Sequence, residues 1–359
     1  MKTFKYVLGY LLLIQLTLPY LVPFSLIYNY RMDYNVVKDN LYNIDVILDQ
    51  ISMQIEKENL QDYIIILGDS IAFSGPGNAS QSIGYYMEKL AQKSSPSNPT
   101  RIYNLAMPAM QTGDIYTMLL KLDEHHISTE NVILNVEYKG FIKREPAPPI
   151  VFWLEDELKS LDKQSYDWAL ANLKANNYEE KFDIQNAVHR VLWDKVEMFR
   201  YSSFLKKGLL NVGQEIRGAK ALDDSIGDAR PWFEKEGLRE VLQRDEYQQE
   251  FSDQDFDMSA NNPQVFFLEK IIDHQKNKQM LVFLAAANDK LMSDKVTTPG
   301  YVNNIKKIDN YFQDKPVNYI NVYGKIDSDL FSDHLHLTAD GYRELAKMLW
   351  DNFEIGAKS

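Results

Sequence analysis

Short apolar runs alternate with amphipathic stretches along the chain from residue 62 onward. The apolar runs are rich in β-branched residues and lead into turns, as buried strands do. Five such runs are present: 63–67, 101–105, 132–136, 280–285 and 317–322. Apolar residues recur at helical spacing over 112–125, 263–276, 301–313 and 339–353. The alternation predicts a three-layer α/β/α fold with a mostly parallel sheet that is covered on both faces.

The N-terminal segment has a different pattern. Residues 6–28 carry no charge, and the stretch is long enough to cross the ~30 Å hydrocarbon core of a bilayer. Lys2 and Lys5 precede it, which favours a cytoplasmic N-terminus. We therefore predict a single-pass transmembrane anchor over 1–30, with the bulk of the chain in a bacterial periplasm or at the cell surface. A cleaved signal peptide and a buried soluble helix are the alternatives.

Three further segments follow this anchor. An amphipathic pattern over 34–60 predicts one long helix, so that 31–61 is either a stalk or a helix packed on the domain. The sheet pattern then occupies 62–144 and resumes over 263–359. Between these parts, 145–262 is charged and helical in pattern, and we predict that it is an insertion that caps the sheet.

The first strand run leads directly into Gly68-Asp69-Ser70. In an open α/β sheet, ligands bind and reactive side chains lie at the carboxyl ends of the strands. A serine at the start of a turn or helix there also has a free backbone N–H that can stabilise an oxyanion. The same three residues are equally typical of an ordinary helix N-cap, so the motif alone does not establish catalysis.

A second polar motif, Phe331–Tyr342, lies just before the last helical stretch. Asp333 and His336 are three residues apart in this loop, so the carboxylate can reach the imidazole. Such a pair can remove the proton from a serine hydroxyl, because the carboxylate fixes the tautomer of the histidine. A polar loop with surface histidines is the alternative interpretation.

Together the two motifs resemble those of the SGNH/GDSL hydrolase superfamily. That superfamily has its nucleophile in a Gly-Asp-Ser after the first strand and an Asp-x-x-His just before the last helix. The resemblance covers about 62–142 and 263–353. It implies that Ser70 is the nucleophile, that His336 is the general base and that Asp333 orients the histidine.

The resemblance also implies an oxyanion hole, and here the chain departs from the family pattern. The second family block has an Asn followed five residues later by a Gly, whereas this chain has Asn104 and Ala109. A backbone donor does not require glycine, so the N–H groups of Ser70 and Ala109 are expected to form the hole. The third block, Gly-x-Asn-Asp, is absent, and Asn288 is the candidate for the missing donor. Three residues are expected at the substrate rim: Asp69, Asn104 and Gly75.

Some members of the superfamily have a membrane anchor, altered middle blocks and a helical insertion. Such members resemble bacterial proteins that O-acylate envelope polysaccharides or secreted polysaccharides. The resemblance implies an extracytoplasmic serine acyltransferase, with an acyl donor and a carbohydrate acceptor as substrates and a multispanning membrane acyltransferase as partner. A carbohydrate esterase or lipase is an alternative, and so is an inactive protein of this fold that binds polysaccharide or a membrane partner. Sugar stacking could then come from four tryptophans, although core packing is their commoner fate: Trp153, Trp168, Trp193 and Trp232.

Composition narrows the chemistry further. The 359 residues include no cysteine, which excludes thiol nucleophiles, disulfides, Fe–S clusters and thiolate zinc sites. The formal net charge of −12 argues against sequence-independent binding of nucleic acid, because such binding needs a basic face. Serine is therefore the nucleophile class that the sequence favours.

A metal site is the alternative interpretation of the histidine loop. Its ligands would be Asp333, His334 and His336, with Asp289 or Asp340. One residue lies between the two histidines, so their side chains share a face only if the stretch is a strand. A metal would also leave the serine motif without a role, so we predict neither a metal nor a cofactor.

Overall fold

The structure, a computed structural model, describes residues 2–145, 147–174, 195–219 and 224–353. The chain forms two compact units: Met1–Gln61 with Glu179–Asp224, and Asp62–Tyr178 with Ser225–Ser359. The second unit begins at the predicted start of the sheet-bearing part. The predicted insertion, in contrast, is divided between the two units.

The described helices of four residues or more are α1 (Lys2–Leu21), α2 (Phe24–Ile27), α3 (Tyr34–Val37), α4 (Asn43–Glu58), α5 (Ser70–Phe73), α6 (Ile83–Ser94), α7 (Thr112–Glu124), α8 (Glu155–Leu161), α9 (Lys163–Lys174), α10 (Glu197–Arg200), α11 (Ser202–Ile216), α12 (Leu238–Val241), α13 (Asp245–Gln249), α14 (Pro263–His274), α15 (Ser293–Val296), α16 (Pro299–Gln313) and α17 (Ala339–Asn352). Single 3₁₀ turns cover Ala79–Gln81, Tyr138–Gly140, Trp232–Glu234 and Ser328–Leu330. The strands are β1 (Tyr63–Leu67), β2 (Arg101–Asn104), β3 (Asn131–Val136), β4 (Gln279–Leu284) and β5 (Asn318–Asn321).

The predicted N-terminal transmembrane helix is not found. The apolar segment is broken, because α1 ends at Leu21 and α2 begins only at Phe24. Pro23 lies between them in extended backbone, with φ −61° and ψ 134°. A proline lacks an N–H and disfavours the helical region for the residue before it, so the helix does not continue through this point. Within the described ranges, no helix is both long and apolar enough to cross a membrane.

The predicted long helix over 34–60 is likewise two helices, α3 and α4. In the break, the Asn40 side chain accepts a hydrogen bond from the Tyr42 N–H at 3.3 Å, which replaces a helical bond. The residues that set the amphipathic pattern of α4 are largely buried, and three are completely so: Ile44, Leu48 and Ile51. Helix α4 contacts α2 and α3 and is therefore a packed element of the first unit rather than an exposed stalk.

The second unit contains a five-stranded sheet in the order β2-β1-β3-β4-β5, in which every neighbouring pair is parallel. Every residue of β1 is buried, as are all but the first residues of β3 and β4. Strands buried on both faces read as continuous apolar runs, which is why the sequence shows them so clearly. The prediction of an α/β fold with a parallel sheet is confirmed.

Helices pack around this sheet in two pairs, α6 with α17 and α7 with α14. The connection from β1 to β2 runs one way along the sheet, and the connection from β2 to β3 runs back. Right-handed crossovers in opposite directions place their helices on opposite faces. The strand order therefore reverses beside β1, and a crevice opens there at the carboxyl ends of β1 and β3.

Candidate active site

Ser70 lies at this crevice. Strand β1 ends at Leu67, a turn of two residues follows, and Ser70 is the first residue of α5. The Asp69 side chain caps this short helix, since its Oδ1 accepts a hydrogen bond from the Ile71 N–H at 2.8 Å. The serine is thus held by a buried strand on one side and by a capped helical turn on the other.

Gly68 is the residue that permits this turn. Its φ is +145°, a backbone conformation that L-residues rarely adopt. A Cβ at this position would lie 1.8 Å from Asn135 Oδ1 on the neighbouring strand β3 and 2.8 Å from the Ala72 Cβ. Only a glycine therefore allows the nucleophile turn to approach β3 this closely.

The loop before α17 is folded around Asp333. The Asp333 Oδ1 accepts hydrogen bonds from the backbone N–H groups of Leu335 at 2.9 Å and His336 at 2.8 Å. The Ser332 N–H donates to the His336 carbonyl at 2.8 Å and closes the same turn. The carboxylate is consequently fixed by the backbone of its own loop, and its second oxygen is left for the imidazole.

The structure brings Ser70, His336 and Asp333 together in one hydrogen-bonded line. His336 Nδ1 lies 2.8 Å from Asp333 Oδ2, and His336 Nε2 lies 2.8 Å from Ser70 Oγ. With Nδ1–H donating to the carboxylate, Nε2 is free to accept the proton of the serine hydroxyl. This arrangement can generate a serine alkoxide at the carboxyl edge of the sheet.

The electrostatics of the pair support that tautomer. Burial by itself lowers the pKa of His336, but the charge and hydrogen bond of Asp333 raise it above the ordinary value of 6.5. Burial raises the pKa of Asp333, yet the imidazole and the Leu335 N–H more than offset this, and its pKa is held well below the usual range. Asp333 is therefore ionised wherever His336 titrates.

Ser70 and Ala109, the two predicted oxyanion donors, both line one cavity of about 200 Å³. Ala109 is exposed and has a φ of +65°, the left-handed conformation that favours glycine. The Met107 N–H donates to the Gly68 carbonyl at 3.0 Å and so ties the turn before Ala109 to the nucleophile turn. Among the described residues, neither the Ser70 N–H nor the Ala109 N–H has a hydrogen-bond partner. Both are free to bind an oxyanion.

Asn288, the third predicted donor, does not lie in this cavity. It is completely buried, its Oδ1 accepts from the Leu291 N–H at 3.0 Å, and its Nδ2 donates to the Asp333 carbonyl at 3.3 Å. Its backbone N–H also donates to the His334 carbonyl at 2.9 Å. The prediction of an oxyanion donor is wrong here, because the side chain is fully used in supporting the Asp333 loop from behind.

The three predicted rim residues have different fates. Asp69 lines the cavity next to Ser70. Asn104 is completely buried and donates to the Ala72 carbonyl at 2.7 Å, so it supports the helical turn α5 and does not face substrate. Gly75 lies outside the cavity lining, and its carbonyl accepts a hydrogen bond from the Tyr342 hydroxyl. Of the three, only Asp69 lines the cavity.

Two features of the site were not anticipated from the sequence. The first is Asn135, whose carboxamide accepts from the Asp69 N–H at 3.0 Å and donates to Asp69 Oδ1 at 2.9 Å. Burial, together with the charge of Glu137, raises the pKa of Asp69 to about 8, while Lys139 opposes the shift. The carboxylate of Asp69, next to Ser70 in the chain, is thus protonated more readily than that of an ordinary aspartate.

The second feature is an ionic cluster behind the loop: Glu137, Lys139, Arg144, Glu250 and His334. Lys139 lies 2.9 Å from Glu137 and 3.4 Å from Glu250, and His334 Nε2 lies 3.2 Å from Glu250. Burial raises the pKa of Glu250, but Lys139 and His334 outweigh it and lower the pKa to about 2. The charged residues that follow β3 at Glu137 and Lys139 were a visible signal, whereas nothing in the sequence connects Glu250 to them.

The metal interpretation of the histidine loop has no support in the geometry. His336 is bound to Asp333 and Ser70, whereas His334 turns to Glu250. Across the described part of the chain, no group of three or more acidic or histidine side chains is arranged to hold a metal ion.

Three of the four tryptophans of the predicted insertion lie in the described residues, and each packs against or hydrogen-bonds to another part of the protein. Trp153 donates to the Pro108 carbonyl at 2.8 Å, Trp232 donates to the Ser328 carbonyl at 2.9 Å, and Trp168 stacks on Phe266 with ring centroids 3.7 Å apart. None of these three rings lines the cavity of about 200 Å³ at Ser70 or the neighbouring cavity of about 430 Å³. Trp193 lies outside the described residues.

In comparisons with known proteins, no family model matches the chain and no curated protein is significantly similar to it. The resemblance to the SGNH/GDSL hydrolases therefore rests on the residues and geometry of this chain alone.

Proposed function

We propose that this protein is a serine acyltransferase or esterase of the SGNH/GDSL type, which acts through an acyl-serine intermediate. The observation that carries the proposal is the pair of 2.8 Å contacts that His336 makes with Ser70 Oγ and Asp333 Oδ2. Ser70 is 266 residues away in the chain from the loop that holds Asp333 and His336, and a merely structural loop does not require this contact.

The proposed reaction has two steps, formation of the acyl-serine and its breakdown. In the first, Ser70 Oγ forms a bond to the carbonyl carbon of an ester, its proton passes to His336 Nε2, and the collapsing tetrahedral intermediate expels the alcohol, which takes up that proton. In the second, a hydroxyl or water gives its proton to His336 and attacks the acyl-serine, and Ser70 recovers its proton as it leaves. The N–H groups of Ser70 and Ala109 would hold the negative oxygen in both steps.

The fold supports this proposal through the position of the nucleophile. Ser70 follows the first strand at the point where the strand order reverses, which is where open α/β sheets bind their ligands. The histidine loop precedes the last helix, α17. Both positions agree with the superfamily pattern, although Lys139 and Gly140 stand where that pattern would have its third block.

A carbohydrate hydroxyl is the acceptor that we propose, as in O-acetylation of a polysaccharide. A second cavity of about 430 Å³ adjoins the nucleophile cavity, and their linings share five residues: Gln111, Gly140, Arg144, Pro148 and Gln264. The larger cavity offers room for an acceptor beside the acyl-serine. The extracytoplasmic location and the membrane-bound acyl donor stay predictions on which this proposal does not depend.

A fluorophosphonate probe tests the activated serine directly, because it phosphonylates Ser Oγ and releases fluoride. We expect labelling of the full chain, and its loss in Ser70→Ala and His336→Asn. Two matched controls with exposed side chains should label normally: Ser80→Ala and His126→Asn. Absence of labelling in the natural chain, or labelling that survives Ser70→Ala, would rule out the proposal in favour of a non-catalytic binding protein.

Transfer and hydrolysis are separated by the fate of the acyl group. 4-Nitrophenyl acetate should acetylate the enzyme and release nitrophenol. The acetyl group is then followed by mass spectrometry with and without a methyl glycoside. A glycoside ester as the main product identifies a transferase, and free acetate as the main product identifies an esterase.

A further inference from the structure

Arg144 lies where the two cavities meet. It lines the cavity of about 200 Å³ that contains Ser70 and Ala109, and it also lines the adjoining cavity of about 430 Å³. Its side chain is only 16% exposed. A positive charge is thus held inside the proposed active site, within the same small cavity as the nucleophile.

The guanidinium of Arg144 has almost no partners. An arginine carries five N–H donors, yet within the described residues this one makes no hydrogen bond, and its Nε is buried without a partner. Its nearest carboxylate, Glu250 Oε1, is 3.8 Å away and is already shared with Lys139 at 3.4 Å. Two other arginines that are mostly buried make hydrogen bonds through their terminal nitrogens: Arg31 donates to Asp224, and Arg200 donates to Asp49 and Glu197.

The charge on Arg144 is also incompletely compensated. Burial lowers the pKa of its guanidinium below the usual value, and the attraction of Glu250 and Glu137 does not make up the difference. A buried hydrogen-bonding group that is left without partners destabilises the protein. Such a group is retained most readily where a ligand supplies the missing acceptor.

We propose that Arg144 binds a carboxylate that the substrate carries next to the reacting ester. The planar fork of an arginine matches the two oxygens of a carboxylate, and the partly buried position strengthens the interaction. The inference rests on the proposed function of the same site. The carboxylate belongs either to the acyl group, as in a dicarboxylic half-ester, or to the acceptor, as in a sugar acid.

Two pairs of substrates distinguish these sources. The first pair compares 4-nitrophenyl acetate with the 4-nitrophenyl half-ester of adipic acid, so that only the acyl group gains a carboxylate. The second pair keeps 4-nitrophenyl acetate as donor and compares methyl glucoside with methyl glucuronoside as acceptor. For each pair, the ratio of kcat/KM for the charged member to that for the neutral member is measured in the natural chain, in Arg144→Gln and in Arg144→Lys.

We expect the natural chain to prefer the charged member of one pair, and that pair identifies the source. Arg144→Gln should lower this ratio by about tenfold to a hundredfold, as expected for a lost hydrogen bond between charged groups. Arg144→Lys keeps the charge but not the fork, so its ratio should fall between the two. The matched control Arg343→Gln removes an arginine that is exposed and lies outside both cavities, and it should leave the ratio unchanged.

A natural chain that discriminates in neither pair would overturn the inference, and so would an Arg144→Gln ratio equal to that of Arg343→Gln. The neutral ester separates this failure from failure of the proposed function. If the natural chain hydrolyses it in a Ser70-dependent manner, the function stands and only the role of Arg144 is wrong. If it does not, the function and the inference fall together.

Discussion

The side chain of Asn135 makes two hydrogen bonds to Asp69. Asn135 Oδ1 accepts from the Asp69 N–H at 3.0 Å, and Asn135 Nδ2 donates to Asp69 Oδ1 at 2.9 Å. Since Asp69 in turn caps the helical turn that begins at Ser70, a buried amide on β3 fixes the position of the proposed nucleophile. Ser70 thus follows β1, and the residue that supports its turn lies on the neighbouring strand β3.

Asn135→Ala should therefore impair both stability and catalysis. It leaves the Asp69 N–H without a partner and removes one of the two hydrogen bonds to Asp69 Oδ1, which should lower the free energy of unfolding by about 2–4 kcal/mol. The displaced serine should reduce kcat for ester hydrolysis by about tenfold or more. Asn131→Ala is the control on the same strand, because Asn131 makes one 3.2 Å bond to the Tyr63 carbonyl, away from the site. Equal kcat values in the two variants would contradict a positioning role for Asn135.

Gly68→Ala should disrupt the nucleophile turn. The added methyl meets Asn135 Oδ1 at 1.8 Å, in a backbone conformation of φ +145°. Overpacking and the strained φ together should destabilise the fold by about 3–5 kcal/mol. Gly324→Ala is the matched control, because its φ of +67° is also left-handed but nothing lies within 4 Å of the added Cβ. That variant should lose only about 1–2 kcal/mol, measured by denaturant unfolding.

A double variant tests the cause of the Gly68 effect. In Gly68→Ala/Asn135→Ala the amide that the added methyl would meet is gone. The double variant should therefore lose less unfolding free energy than the two single variants combined, by about 1 kcal/mol or more. Strict additivity would show that the close approach of Gly68 to Asn135 is not what requires the glycine.

The parts of this site that could be predicted are those with local signals. Strand β1 is an uninterrupted apolar run, and a parallel sheet presents the carboxyl ends of its strands at one edge, so the position of Ser70 follows from the sequence. Asp333 and His336 contact each other within one turn, and their spacing is enough to pair them. The 2.8 Å contact between His336 and Ser70 follows from topology rather than from either motif alone.

The parts that could not be predicted depend on partners from distant segments. Asn288 follows a strand just as an oxyanion donor would, yet its amide is consumed by the Asp333 loop. Glu250 carries no sequence signal, because its partners Lys139 and His334 lie 111 and 84 residues away and only the folded chain brings them together. The uncharged stretch over 6–28 likewise indicated one continuous helix, because a membrane-spanning helix tolerates a proline where neighbouring groups compensate, whereas the backbone at Pro23 is extended.

Glu250→Gln should destabilise the protein more than a typical surface change. Glu250 faces Lys139 and His334, and the substitution removes the charge that compensates the partly buried lysine. Breaking one partner of a buried ion pair typically lowers the free energy of unfolding by about 3–5 kcal/mol. Glu246→Gln, on the exposed side of the same segment and 3.9 Å from Arg244, should lose less than about 1 kcal/mol. Similar unfolding midpoints for the two variants in urea would contradict a structural role for the ionic cluster.

Asp333→Asn should change the pH dependence of the reaction as well as its rate. His336 accepts the serine proton only when it is neutral, so kcat/KM for 4-nitrophenyl acetate should rise with pH through the pKa of His336. Asp333 raises that pKa above 6.5, and the midpoint of the acid limb in the natural chain should accordingly lie above pH 6.5. Without the carboxylate, that limb should move to lower pH while kcat falls by about 10³–10⁴-fold, because the tautomer is no longer fixed. Asp340→Asn, which changes an exposed aspartate paired with Arg343, should leave both the limb and kcat unchanged. A limb that stays in place in Asp333→Asn would show that another group controls the titration and that Asp333 is not the partner of the general base.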